Sequence, residues 1–343
     1  MSLPHWAPAR KPRRLALWLP FAVALVGIAF LSVAWFWMEG EVERRMEAAR
    51  ASAIETGWTL SWRHRSISGF PFRLDVTLED ARVREPSGWG LTTPILKAEA
   101  FVFAPAHWTA FAPDGATVLR RRGGPLFVRA KVLRASISEA SAAPPRISVQ
   151  GLGLKFATPP GAAPFPLDAA TEFHFHTKAG PDNQGAVYLE VDGAEARVTG
   201  LIARISEGGP TNLVFDAIFS HAKALRGHDW TAATRAWGVA GGRLHVRRLQ
   251  LTAGLAAVEA RGGELGIAAD GRVLGRLELA LRQAPKTLGA MEGEGAIPPE
   301  TARAATTLAG AVQAGPIASL PLTFEAGRTT LGPIAIGPAP RIY

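Results

Sequence analysis

His174 and His176 flank Phe175 in the run Phe173-His174-Phe175-His176, and their types and spacing come closest to chemistry in this chain. On a strand, positions i and i+2 share a face, so both imidazoles project together. Zinc takes at least three protein ligands, and the adjacent sequence supplies no third, so the pair reads as a polar strand face. A serine hydrolase needs a nucleophile on a tight turn, a base and an oxyanion hole. No Gly-x-Ser-x-Gly occurs. Ser66-Ile67-Ser68-Gly69 lies near His64, yet it runs into Phe70-Pro71-Phe72, which reads as entry into a strand. Gly151-Leu152-Gly153 sits inside strand-like sequence, whereas a phosphate loop precedes a helix. The paired carboxylates of a glycosidase are set by separation in space, on which the sequence is silent. With no cysteine, thiolate metal sites, iron–sulfur clusters, thiol nucleophiles and disulfides are excluded together. No catalytic residue, metal ligand or cofactor is assigned, and an enzyme is the less favoured class.

The residues that do stand out are apolar. Leu277, Leu279 and Leu281 alternate with Arg276, Glu278 and Ala280, one dry face against a wetter one, and form the candidate apolar groove. Phe72, Leu74, Val76 and Leu78 alternate with Arg73, Asp75, Thr77 and Glu79 in the same way. Further strand-like runs are expected at Ile95–Phe103, Leu126–Ile137, Arg146–Phe156, Thr171–Thr177 and Ala186–Val191, then at Leu213–Phe219, Arg243–Thr252, Gly263–Ala269 and Arg272–Leu281. Pro181-Asp182-Asn183-Gln184-Gly185 and Asp270-Gly271 supply hairpin turns. Short helices are expected from an Asp229 cap through Trp237, at Ala284–Met291 and at Pro299–Ala314. A dry face repeated over so many strands must curl, pair with another layer or hold something apolar. Trp58, Trp62, Trp89, Trp108, Trp230 and Trp237 read as core or as the lining of such a cavity. Pro/Ala-rich Ser141–Pro145 and Thr158–Pro166 read as loops, the second as a weak place for a domain boundary.

What positions this body is the N-terminus. Leu15 to Met38 carries no charge, and Arg10, Lys11, Arg13 and Arg14 precede it. As a helix this run is about 36 Å long, enough to cross a hydrocarbon core of about 30 Å. Basic residues stay cytoplasmic, so residues 1–14 are expected inside, 15–38 as an uncleaved anchor, and the rest in the periplasm. The apolar core exceeds the roughly 7–15 residues of a cleaved signal, and bulky Ala34-Trp35-Phe36-Trp37-Met38 suits the interfacial aromatic belt rather than a peptidase. Residues 39–56, rich in Ala, Glu and Arg, are expected as a helical stalk ending at Gly57, with 57–343 a β-rich body. The net charge is +9, but acidic residues are interspersed and no basic stripe interleaves with aromatics, so nucleic acid is not an expected partner.

Three stretches carry a family resemblance: Ser68-Gly69-Phe70-Pro71-Phe72-Arg73-Leu74; Trp237-Gly238 with Gly241-Gly242-Arg243-Leu244; and Leu331-Gly332-Pro333-Ile334 with Gly337-Pro338-Ala339-Pro340. Their order after one membrane helix resembles the bacterial envelope family catalogued as domain of unknown function 2125. The resemblance implies a membrane-anchored periplasmic protein and brings no activity or catalytic residue. Gly263–Leu281 also resembles strand pairs of AsmA-like envelope proteins, whose curved sheets form lipid grooves, an analogy of fold alone. The expected fold is mainly β: a membrane helix, a helical stalk and a curved, mostly antiparallel sheet with a few short helices. The expected function is lipid binding or shielding in an apolar groove during envelope maintenance. A structural scaffold for envelope proteins and an unrecognised hydrolase are the alternatives. The membrane, lipid and envelope proteins are the expected partners.

Overall fold

The computed structural model describes residues 14–197, 199–314 and 317–343. Arg10, Lys11 and Arg13 of the basic tail lie outside the described residues. One unbroken helix, α1 (Arg14–Glu55), carries both the apolar stretch and the expected stalk, with Pro20 near its start. It ends at Thr56-Gly57, Gly57 taking φ +77°.

The rest is one antiparallel sheet. β1 (Thr59–Ser61) and β2 (His64–Ser68) both lie on β3 (Arg73–Arg84), which pairs with β4 (Gly90–Phe101). The next two strands are each broken once. β5 (Trp108–Phe111) and β6 (Ala116–Arg120) lie in line along β4, and β7 (Gly124–Arg129) and β8 (Val132–Ser138) lie in line along β9 (Arg146–Ala157). The run expected at Leu126–Ile137 is therefore extended as read, but interrupted at Ala130-Lys131. Then β10 (Leu167–Ala179), β11 (Gly185–Ala196), β12 (Thr211–Phe219), β13 (Leu244–Ala253), β14 (Ala256–Ile267) and β15 (Val273–Arg282) meander, each paired with the strand before it. The pairing of β9 with β10 carries the sheet across the Thr158–Pro166 loop without a break. β16 (Gln313–Ala314), β17 (Ile317–Glu325), β18 (Arg328–Leu331) and β19 (Ile334–Pro338) finish the other edge, β17 lying on β15.

Among the described residues, four short α-helices sit in the connections: α2 (Leu201–Ser206), α3 (Trp230–Val239), α4 (Ala284–Gly293) and α5 (Pro299–Ala311). Asp229 caps α3 by accepting from the Ala232 amide at 2.7 Å.

Cross-strand partners share a face, so the register shows what each face is made of. One ladder passes from Val76 through Ala98, Ala110, Ala135 and Val149 to Phe175. It continues through Leu189, Phe215, Leu249, Ala260 and Leu279 to Leu320. Every member is apolar, from β3 to β17. The adjacent ladder on the opposite face reads Thr77, Lys97, Phe111, Arg134, Gln150 and His174, a wet surface with a single aromatic. From β3 to β10 the sheet is thus amphipathic.

A crease crosses its first half. Neighbouring strands lose regular pairing at Pro94, Ala112–Gly115, Ala130-Lys131, Gly153 and Gly193, where Gly115, Gly153 and Gly193 have φ of +78°, +60° and +57°. Side chains satisfy the backbone groups released there. Thr93 Oγ1 donates to the Gly115 carbonyl at 2.8 Å, and Asn212 Oδ1 accepts from the Gly193 amide at 2.7 Å. Bending there, and at Gly263 and Gly275 farther on, curls the sheet. Trp58 Nε1 then donates to the His228 carbonyl, and the Trp230 amide to Glu85 at 3.0 Å, tying the first edge to the β12–β13 connection.

Candidate functional site

Leu277, Leu279 and Leu281 point to the apolar face, as their alternation requires, but they are buried in a filled core. The chain leaving β15 folds straight back as α4 and α5, and Ala302, Ala305 and Ala309 let α5 lie close against that face. Ile297, Leu288 and Leu331 complete the packing. These three leucines, expected to line an apolar groove, lie in the buried cluster where α4 and α5 cover the apolar face over β13–β17.

The open part lies at the crease. A cavity of about 430 Å³ occupies the concave face between β4 and β11, walled by Leu96, Ala110, Ala135, Val149, Leu154 and Phe173. It falls within the roughly 300–1,000 Å³ of small-molecule sites. Its position follows from side-chain size, because the ladder narrows to Ala98, Ala110 and Ala135 where the sheet bends. Phe156 and Phe165, with ring centroids 5.0 Å apart, stand at one end of the cavity.

A second groove, of about 610 Å³, runs between the C-terminal half of α1 and the same face of β3–β5, with Met38, Val42 and Met46 opposite Leu74, Val76 and Leu78. Leu78 is paired with Leu96 of the first cavity, so the two spaces are neighbours along one apolar surface. Two side-chain grips are prominent among the contacts that hold the helix in place. Trp35 is buried and donates from Nε1 to the Arg73 carbonyl at 2.6 Å, its ring edge-on to Phe70 with centroids 5.5 Å apart. Two to three turns beyond, Arg65 of β2 forks to Glu43 at 3.0 Å and Glu47 at 3.1 Å. Trp35, read as an interfacial residue, is therefore covered by the protein's own turn, whereas Trp37 is exposed. A larger depression of about 890 Å³ near Asp270–Arg276 and Thr323–Gly327 is shallow, and its Asp270 and Arg272 pair with each other at 3.2 Å.

The polar candidates lie on the opposite face. His174 and His176 do share one side of β10, ring centroids 6.2 Å apart; His174 Nε2 meets Glu172 at 3.2 Å and His176 Nδ1 meets Ser148 Oγ at 2.9 Å. Tyr188, across the strand from His176, donates to Glu190 at 2.9 Å. Burial raises the Tyr188 phenol above its ordinary 10.0, and the Glu190 carboxylate adds to the rise. Among the described residues no group of three or more His, Asp or Glu side chains converges as a metal site. His64, Ser66 and Ser68 project along one side of β2, and Ser68 Oγ lies 3.5 Å from the Asp75 carbonyl. Gly151-Leu152-Gly153 is inside β9, with Gly153 at the crease.

Against known families, residues 35–340 match the model of an uncharacterized protein conserved in bacteria, DUF2125. The chain belongs to that family. The DUF2125 match opens at Trp35, the residue on which the body docks. The three stretches that resembled the family each carry a structural task. Gly69, at φ +98°, closes the turn over Trp35, where a Cβ would stand 2.7 Å from the Arg73 carbonyl. Gly242 makes room for Trp237, whose Nε1 donates to the Ser220 carbonyl at 2.7 Å. Leu331 is part of the core beneath α5. Comparison of this DUF2125 chain with curated proteins and with solved structures gave no match.

Short strands β5 and β6 supply much of the cavity wall and were missed in the sequence. Their signal is weak because Ala-Pro-Asp-Gly at 112–115 reads as a turn.

Proposed function

We propose that this DUF2125 chain is a single-pass protein of the bacterial inner membrane, its N-terminus cytoplasmic and its body periplasmic, that shields acyl chains of lipid on the apolar face of its sheet. The observation that carries the reading is the uncovered cavity on a ladder of apolar residues running from β3 to β17. A recess whose exposed lining is almost wholly apolar is a poor site for water and a good one for hydrocarbon. Each methylene moved from water into it contributes about 0.8 kcal/mol. The helix α1, apolar enough to span a membrane by length and composition, supplies the nearby source of lipid. The likeness of Gly263–Leu281 to AsmA-like strand pairs agrees with this reading as analogy.

Native mass spectrometry of the full chain released from detergent tests it. The unaltered protein is expected to carry acyl-chain lipid, and Ala135→Trp, which fills the cavity without adding charge, to lose it while keeping its fold. A well-folded chain repeatedly free of lipid overturns the reading. A structural scaffold for envelope proteins is then the better account, favoured by the C-terminal third, where α4 and α5 close the same apolar face.

A further inference from the structure

The turn between β2 and β3 and the turn after β4 meet beside α1. The Val102 amide donates to the Phe72 carbonyl at 3.0 Å, which joins the two turns. Their aromatic side chains are turned outward: Phe70, Phe72 and Phe103 are 51%, 58% and 77% exposed, and Phe101 stacks on Phe103 with centroids 5.0 Å apart. Single exposed apolar residues are ordinary; four phenylalanines on two joined turns form a patch that calls for a cover.

Where the patch sits says what covers it. Phe70 packs on Trp35 and Phe36, which lie inside the uncharged stretch of α1, and the first charge beyond is Glu39. Four residues of helix rise about 6 Å, so the turn contacts the helix about one turn inside the apolar segment. A protein partner docked there would have to share that level with hydrocarbon. Arg73 at the turn's inner end is paired with Asp75 at 2.8 Å and Glu99 at 3.4 Å, and the turn residues themselves, 69–72 and 102–106, include no Asp, Glu, Lys or Arg.

We propose that these two turns insert into the outer surface of the same bilayer that α1 crosses, as a lipid-embedded foot. The groove between α1 and β3–β5, whose wall includes Trp37, Met38 and Pro105, then opens at the lipid surface and leads toward the cavity. The proposal rests on the reading of α1 as a membrane anchor. It does not require lipid in the cavity.

The absence of native cysteine permits single-site labelling of the full chain. Phe103→Cys and, separately, Phe72→Cys would carry an environment-sensitive fluorophore. Arg121→Cys, exposed in the turn past the other end of β4, is the reference. The labelled chains are reconstituted in vesicles of phosphatidylethanolamine and phosphatidylglycerol, with and without lipid bearing a nitroxide. Quenching by the nitroxide lipid is expected to be several-fold greater at 72 and 103 than at 121, with matching circular dichroism in all three. Equal quenching at the three sites overturns the proposal. So does a label at 103 shielded from aqueous iodide yet unquenched by lipid, because that result means a protein cover. Native mass spectrometry of the same preparations reads the cavity separately, so an embedded foot on a lipid-free protein would refute only the lipid-shielding reading.

Discussion

At Tyr188 the surroundings favour the protonated phenol. Burial first, and then the Glu190 carboxylate it donates to, disfavour the phenolate. The neutral form is therefore preferred in the native state. Its contribution to stability is fully present below the unfolded value of 10.0 and is lost as pH rises through the shifted native value. The chain has two tyrosines, so Tyr343→Phe leaves Tyr188 alone for an ultraviolet titration. The midpoint is expected above 10.0, and Glu190→Gln is expected to lower it.

Among elements, the bends are as much a part of the design as the strands. Gly275 holds φ +122°, and a Cβ there would stand 2.1 Å from the Glu264 carbonyl of the paired strand. Gly275→Ala is expected to cost about 1–3 kcal/mol by thermal unfolding, the range of a forced backbone conformation. Bends of this kind also decide what was legible in the sequence. β10–β11 and β14–β15 could be read because large residues alternate on either side of a recognisable turn. The C-terminal helices could be read from their Ala-rich composition. The cavity could not, because Ala110 and Ala135 open it by being small, and small residues leave no alternation to see. For the opposite reason the leucines at 277, 279 and 281 gave the clearest signal: they are large, and large side chains fill a core. The sequence likewise gave no notice that α4 and α5 return over that face, since packing partners distant along the chain are not written in local pattern.

For the whole molecule, one apolar surface is treated in three ways: flanked by α1 at the first edge, bare at the crease and sealed by α4 and α5 at the end. This partition separates two substitutions that look alike on paper. Leu279→Asp puts a carboxylate into the sealed core and is expected to destabilise the body by several kcal/mol, seen as a large fall in unfolding temperature. Ala135→Trp enters open space and is expected to leave that temperature nearly unchanged while changing what the protein carries.

The unbroken course of α1 also makes it an angular gauge. Trp35 is clasped by one turn of the body and Glu43 and Glu47 by Arg65, so two grips are set at a fixed phase along a single rod. One residue inserted at Gly40 turns the upper grip by about 100° relative to the lower, and the two can no longer close together. Four inserted residues nearly restore the angle but lengthen the rod by about 6 Å. Proteolysis of the stalk in the full chain should therefore be faster with one inserted residue than with none. With four it should stay fast, because the body cannot follow both heights. Protection kept in both variants would mean that one grip alone holds the body upright.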